Sequence, residues 1–84
     1  MTIKILYFAG LREALGLASE DIALPETVAT VGELHAYLVA RGGVWVGLAQ
    51  AKNLRVALNQ TMAADDAPIK AGDEIAFFPP VTGG

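Results

Sequence analysis

The chain has 84 residues, which is enough for one compact domain. Hydrophobic residues make up 54% of it and charged residues 18%, a composition typical of a globular protein, and no apolar run reaches the ~18 residues that a membrane span requires. The formal net charge is −3 and the basic residues are scattered, which argues against nucleic-acid binding. An acidic protein of this kind suits a protein partner with a basic docking surface.

Cysteine is absent, so a disulfide framework, a thiol nucleophile and thiolate metal ligands are all excluded. The first residues do not resemble an export signal, because Lys4 and Arg12 interrupt the apolar stretch. We therefore expect a cytoplasmic protein that does not engage a membrane.

Two strands are predicted near the N-terminus. Residues 2–9 alternate with period two, which predicts a strand with two distinct faces. Its inward side chains are expected to be Ile3, Ile5 and Tyr7, and its outward ones Lys4, Leu6 and Phe8. Residues 11–16 predict a short helical turn that Gly16 ends with a left-handed cap, and residues 21–24 predict the second strand of a hairpin.

Residues 30–33 match a capping box, in which the Thr30 hydroxyl accepts from the Glu33 amide and the Glu33 carboxylate accepts from the Thr30 amide. They predict a helix over residues 31–41, with Arg41 near the negative end of its dipole and two glycines beyond it. Its apolar stripe consists of Val31, Leu34 and Leu38. Residues 44–52 favour no single structure.

Two more strands are predicted, over residues 54–59 and 74–78, with turn clusters at residues 65–68 and 70–73. Their inward side chains are expected to be Leu54, Val56, Leu58, Ile75 and Phe77. One amphipathic helix on one face of a mixed sheet gives an α+β roll. We expect a single domain, with residues 1–78 as its folded body and residues 79–84 as an extended tail.

Side chains suited to catalysis are scarce. His35 is the only histidine and lies off the apolar stripe of its helix, so we expect a solvated surface residue. The carboxylates of residues 65–66 and 73–74 are expected to be solvated turn and strand-end residues, since nothing near them indicates a substrate cleft. Trp45 is expected to pack in the core or at its edge. No metal site is predicted.

The C-terminal segment is the strongest candidate for a functional site. It directly follows a core strand, Pro79 and Pro80 favour an extended conformation, and Gly83 and Gly84 have no side chain. Its six residues span at most ~20 Å at ~3.3–3.6 Å per residue, which is far enough to thread a terminal carboxylate into another protein's active site. The alternative is a frayed end without function.

Charged side chains mark the outward face of the first and last strands. The residues expected to share that face are Leu6, Phe8, Ala76 and Phe78, because they lie on the same sides of their strands as Lys4 and Glu74. Exposed aromatic rings beside an extended tail indicate a partner-binding surface. The alternative is that loops cover them.

The C-terminal sequence GDEIAFFPPVTGG, residues 72–84, resembles the end of the small sulfur-carrier subunit of molybdopterin synthase, the MoaD family. The resemblance extends along the chain, through IKILYFA (residues 3–9), LRE (residues 11–13), TV (residues 30–31) and VALNQ (residues 56–60). It implies a ubiquitin-like β-grasp fold, in agreement with the α+β roll. The visible departures are confined to residues 44–52.

The resemblance also implies a function in molybdenum cofactor biosynthesis. An E1-like adenylating enzyme is expected to use ATP to adenylate the Gly84 carboxylate, and a sulfur donor such as a cysteine desulfurase or a rhodanese to convert it into a thiocarboxylate. The sulfur would then pass, in the large molybdopterin synthase subunit, to cyclic pyranopterin monophosphate, forming the dithiolene of molybdopterin. No permanently bound cofactor is expected, and the chain is a sulfur-donating subunit that is not an enzyme alone.

The site residues that the resemblance implies lie in the tail and on the outward face. Gly84 is the adenylation site, and Gly83 allows the tail to be threaded. The residues expected to bind the partner are Phe8, Met62, Phe78, Pro79, Pro80, Val81 and Thr82.

Other functions remain open from the sequence. A sulfur carrier for thiazole or cysteine synthesis, or a ubiquitin-like modifier attached to lysines, would also end in Gly-Gly, although the run FFPPVT favours the molybdopterin pathway. A β-grasp interaction module without chemistry at its end is a further alternative. An autonomous enzyme is disfavoured, because catalytic side chains are missing.

Overall fold

A computed structural model describes residues 1–50 and 54–79, and within them five strands form one mixed sheet. The strands are β1 (Thr2–Tyr7), β2 (Ser19–Ala23), β3 (Arg55–Leu58), β4 (Thr61–Met62) and β5 (Glu74–Phe78). They lie in the order β2-β1-β5-β3-β4; β1 and β5 are parallel, and the other neighbouring pairs are antiparallel. The sequence predicted four of these strands and the β1–β2 hairpin, and it missed β4.

The helices of the described part are α1 (Ala9–Leu15), α2 (Val31–Val39) and α3 (Gly47–Gln50), with a 3-10 helix at Gly43–Val46. Gly16 ends α1, as predicted. Its φ of 69° lies in the left-handed region, which glycine adopts most easily because it has no Cβ atom. The stretch that the sequence left open, residues 44–52, is helical up to residue 50, and residues 51–53 lie outside the described part.

The N-terminus of α2 has the predicted cap, with one change of partner. The Thr30 hydroxyl accepts from the Glu33 amide at 3.2 Å, whereas the Glu33 carboxylate accepts from the Ala29 amide at 3.1 Å and not from the Thr30 amide. The helix ends at Val39, two residues earlier than predicted. The chain continues there as a tighter turn, because the Arg41 amide donates to the carbonyl of Leu38, three residues earlier, at 3.1 Å.

The core lies between the inner face of the sheet and α2. The predicted alternation is confirmed, since the inward side chains of β1 and β5 are almost completely buried: Ile3, Ile5, Tyr7, Ile75 and Phe77. The predicted stripe of α2 is buried against them: Val31, Leu34 and Leu38. Burial of each such large side chain contributes about 1.5–3 kcal/mol, so this one layer holds the sheet and helix together.

Tyr7, Glu20, Arg41 and Trp45 form a polar and aromatic cluster at the edge of the core. The Tyr7 hydroxyl donates to Glu20 Oε2 at 2.8 Å, and Arg41 donates to both Glu20 oxygens at 2.9 and 3.0 Å. The Arg41 guanidinium lies 4.4 Å from the centre of the Trp45 ring, and the Tyr7 and Trp45 rings meet edge to face at 5.6 Å. This cluster ties the β1–β2 hairpin to the chain that follows α2.

Burial raises the pKa of Tyr7, and its hydrogen bond to Glu20 raises it further. Burial alone would raise the pKa of Glu20, but the hydrogen bonds from Arg41 and Tyr7 outweigh it and hold that pKa below its ordinary value. The folded cluster therefore contains a neutral tyrosine and an ionised glutamate.

We predict that Glu20→Gln lowers the free energy of unfolding by about 2 kcal/mol near neutral pH, because an amide cannot replace the ionised acceptor of three hydrogen bonds. Folding lowers the pKa of Glu20, so its stabilisation is present above its unfolded value of about 4.3 and is lost as the pH falls through the folded value. Urea unfolding at neutral and acidic pH measures the free energies of unfolding of the wild type and of Glu20→Gln. The difference between these two values should become smaller in acid. Glu13→Gln, at an exposed position on α1, is the matched control; an equal loss in both variants would contradict the assignment.

Candidate functional site

The root of the C-terminal tail is held by the central strand of the sheet. β5 pairs with β1 on one side and β3 on the other, and its Ile75 and Phe77 side chains are fully buried. Pro79 follows the strand, is half-buried, and is the last described residue. The predicted site residues Pro80, Val81, Thr82, Gly83 and Gly84 lie outside the described part, so their roles stay predictions.

The outer face is the sheet face that does not carry α2. An apolar row crosses it, in which neighbouring strands place Leu6, Ala76, Ala57 and Met62 side by side. Met62 is 56% exposed, and it reaches this row because the chain turns at Asn59 and Gln60 and forms β4. The outer face therefore has a continuous apolar strip from β1 to β4.

Two aromatic side chains lie at the end of the outer face where the tail begins. Phe8 is 46% exposed, as predicted from the alternation, and its amide donates to the Phe77 carbonyl at 3.2 Å. Phe78 lies on the same face but is half-buried, as are Leu6 and Ala76, so these three are less exposed than predicted. The predicted partner-binding roles of Phe8, Met62, Phe78 and Pro79 stay predictions.

The opposite end of the outer face is polar. Lys4 is in register with Asp21 on β2 and with Glu74 on β5, so a cation lies between two anions. Charges of opposite sign on adjacent strands stabilise the pairing modestly and keep this end hydrated. The outer face is thus divided into a polar end, far from the tail, and an apolar end beside it.

Asp73 contradicts the sequence interpretation, which took it for a solvated residue. It is only 5% exposed, and its carboxylate accepts from the Lys70 amide at 2.8 Å and from Asn59 Nδ2 at 3.1 Å. Asn59 also accepts from the Glu74 amide at 2.9 Å. The two-residue turn of Asn59 and Gln60, with φ of 51° and 70°, is therefore fixed to the start of β5. This network positions the hairpin that carries Met62.

His35 is also placed differently from the prediction of a solvated surface residue. It is half-buried, and its Nε2 donates to the Leu48 carbonyl at 2.9 Å. The reason is that α3 folds back over α2 and covers the imidazole. Trp45 packs at the edge of the core, as predicted. Both side chains belong to the helical side of the molecule, away from the outer face.

Within residues 1–50 and 54–79, no three histidine, aspartate or glutamate side chains come together to hold a metal ion. No helix in the same ranges has both the length and the apolar character needed to cross a membrane.

Arg55 is the residue of this site that the sequence interpretation missed. It lies on the outer face opposite Phe78, and the alternation of its strand could have placed it there.

The sheet, the helix across its inner face and the order of the elements define a ubiquitin-like β-grasp protein. The ubiquitin of Caldiarchaeum subterraneum shares the fold, with a TM-score of 0.57 at 19% identity over 100% of this chain and 98% of that one. The small archaeal modifier protein SAMP1 of Haloferax volcanii superposes with a TM-score of 0.80, at 29% identity, over the full length of both chains.

The chain belongs to the ThiS family, which matches residues 5–84. It is 40% identical to the molybdopterin synthase sulfur carrier subunit of Escherichia coli over 82 residues, which cover 98% of this chain and 99% of that protein. It is also similar to a chain in the complex of subunits 1 and 2 of the molybdopterin-converting factor of Helicobacter pylori, with a TM-score of 0.69 and 25% identity over the full length of both chains. The family membership that the sequence suggested is confirmed.

Proposed function

We propose that this protein is the sulfur carrier of molybdopterin synthesis and that its reactive group is the C-terminal carboxylate of Gly84. The observation that supports this most strongly is the similarity, along nearly the whole chain, to the E. coli molybdopterin synthase sulfur carrier subunit. The ThiS family match extends through residue 84, so the similarity includes the Gly-Gly end.

The proposed chemistry begins with activation, because a resting carboxylate is a poor electrophile. An E1-like adenylating enzyme uses ATP to form the acyl adenylate of Gly84 and releases pyrophosphate. The outer sulfur of a persulfide on a sulfur donor, such as a cysteine desulfurase or a rhodanese, then displaces AMP and forms an acyl disulfide. A second thiol attacks the donor's sulfur in this disulfide, so that the thiocarboxylate is released and the two thiol sulfurs are left as a disulfide. The absence of cysteine from the chain agrees with this scheme, because the sulfur is carried on the main-chain end.

Delivery of the sulfur takes place in the large molybdopterin synthase subunit, where cyclic pyranopterin monophosphate receives it. The outer face would dock on that subunit, since its apolar end lies beside the root of the tail. From Pro79 the tail reaches ~20 Å at most, and a Gly-Gly end without Cβ atoms fits a narrow channel. The Helicobacter pylori complex of subunits 1 and 2 supports a partner of this kind.

We predict that deletion of Gly84, or addition of one residue after it, abolishes sulfur transfer, because either change moves the carboxylate from the position at which it is activated. Transfer is measured with the activating enzyme, ATP, a sulfur source and the large subunit. Thermal unfolding serves as the control and should not change. Normal transfer by the extended variant would contradict the role of Gly84, and a parallel loss of stability would show that the tail has a structural role.

We predict that Phe78→Ala weakens binding to the large subunit by about 2 kcal/mol, or roughly 30-fold, as expected for an aromatic anchor beside the tail. Isothermal titration calorimetry measures the effect. Tyr37→Ala is the matched control, because it removes an exposed aromatic ring from α2, on the opposite side of the sheet. Equal affinities of Phe78→Ala and wild type would count against the outer face as the docking surface.

A second candidate function is that of a protein modifier joined through Gly84 to lysine side chains. The similarity to the small archaeal modifier protein SAMP1, over the full length of both chains, favours it. The two functions share the acyl adenylate and differ in the nucleophile that follows. Mass spectrometry of cell extracts distinguishes them. The last basic residue before the C-terminus is Lys70, so tryptic cleavage of a modifier leaves residues 71–84 attached to lysines of other proteins, whereas a dedicated sulfur carrier leaves no such branched peptide.

A further inference from the structure

Only two cationic residues occur in the five strands of the described part, and their surroundings differ. Lys4 belongs to the polar end of the outer face, in register with Asp21 and Glu74. Arg55 belongs to the apolar end, in register with Phe78. The strands therefore place one cation next to two carboxylates and leave the other among apolar neighbours.

Among the residues that the structure describes, the neighbours of Arg55 on the outer face offer it no carboxylate. Phe78 lies directly opposite on β5, and the next outward residues along these two strands are Ala57 and Ala76. Arg55 itself is exposed. The ion pair found within residues 1–50 and 54–79 joins Arg41 to Glu20, and it does not involve Arg55.

Any protein that covers Phe78 must also cover or closely approach Arg55. Directly opposite residues of an antiparallel pair have Cβ atoms about 4.5–5.5 Å apart, so a partner that buries the aromatic ring also covers the stem of Arg55 and removes water from around its guanidinium. Removal of a charge from water is unfavourable unless a counter-charge and hydrogen bonds replace the lost hydration. A carboxylate does this best for arginine, because its two oxygens match the donors of the guanidinium.

We propose that Arg55 is a specificity-determining residue of the outer face, and that the docking partner places an aspartate or glutamate side chain against it, beside the entry point of the tail. The inference rests on the proposed function in that the partner is taken to be the large synthase subunit. It adds a feature that net charge alone would not suggest, since a chain with net charge −3 favours a basic partner surface. The acidic side chain also orients the carrier, because it pairs with one cation next to the tail.

Arg55→Met tests the proposal, because it keeps a long, unbranched side chain and removes the charge. A partner carboxylate would then be buried without a counter-ion, so binding to the large subunit should weaken by about 30-fold or more. Without that carboxylate the variant would enlarge an apolar docking face and would bind equally well or more tightly. The direction of the change in Kd therefore decides the question.

Lys70→Met is the matched control. Lys70 is exposed in the turn that precedes β5, at the polar end of the sheet, so its loss should leave Kd unchanged. The affinity of the wild type should also fall more steeply with added salt than that of Arg55→Met, because the variant lacks the ion pair. Thermal unfolding of both variants verifies that the fold is retained.

Failure of this inference is distinguishable from failure of the proposed function. If the wild type binds the large subunit, Phe78→Ala weakens binding, and Arg55→Met binds as well as the wild type or better, the acidic contact is refuted and the docking face stands. If the wild type does not bind the large subunit at all, the proposed function and this inference are both overturned.

Discussion

The structure depends on the pairing of β5 along both of its edges. This strand lies in the middle of the sheet, parallel to β1 and antiparallel to β3. Its inward side chains, Ile75 and Phe77, are fully buried beneath α2, and each contributes about 1.5–3 kcal/mol by burial. The described part of the chain ends at Pro79, directly after this strand, so the position from which the last residues start is fixed by the sheet.

The core and the proposed docking surface lie on opposite faces of this sheet. The inner face carries the core and the cluster of Tyr7, Glu20 and Arg41, whose hydrogen bonds hold the hairpin against the chain after α2. The outer face carries an apolar strip across the strands and, at the end where the tail begins, the aromatic side chains of Phe8 and Phe78. Because side chains of a strand alternate between the two faces, Phe77 contributes to the core while its neighbour Phe78 lies on the proposed docking surface.

Much of the fold could be predicted from the sequence, because its strongest signals are local. The alternation of Ile3, Ile5 and Tyr7 and the cap at Thr30 depend on residues at most four positions apart, and both are found in the structure. The missed features depend on distant partners. Arg41 pairs with Glu20 across 21 residues, and His35 bonds to the Leu48 carbonyl across 13, so neither could be recognised from local pattern.

The site was predictable to a similar extent. Exposure of Phe8 followed from the alternation of β1, whereas the tail that the C-terminal motif predicts lies, beyond Pro79, outside the described residues. The burial of Asp73 did not follow, because it depends on an amide supplied by Asn59 from another strand connection. Arg55 was overlooked, because its significance lies in its register with Phe78 and that register is a property of the assembled sheet.

The central proposal is that the C-terminal carboxylate of Gly84, and not a side chain, carries the sulfur. Its most direct test is the mass of the C-terminal peptide after incubation of the protein with its activating enzyme, ATP and a sulfur source. Replacement of one terminal oxygen by sulfur raises that mass by about 16 Da, and fragmentation should locate the increase on the last residue. An unchanged mass under conditions in which the activating enzyme consumes ATP, or sulfur located on any other residue, would contradict the account.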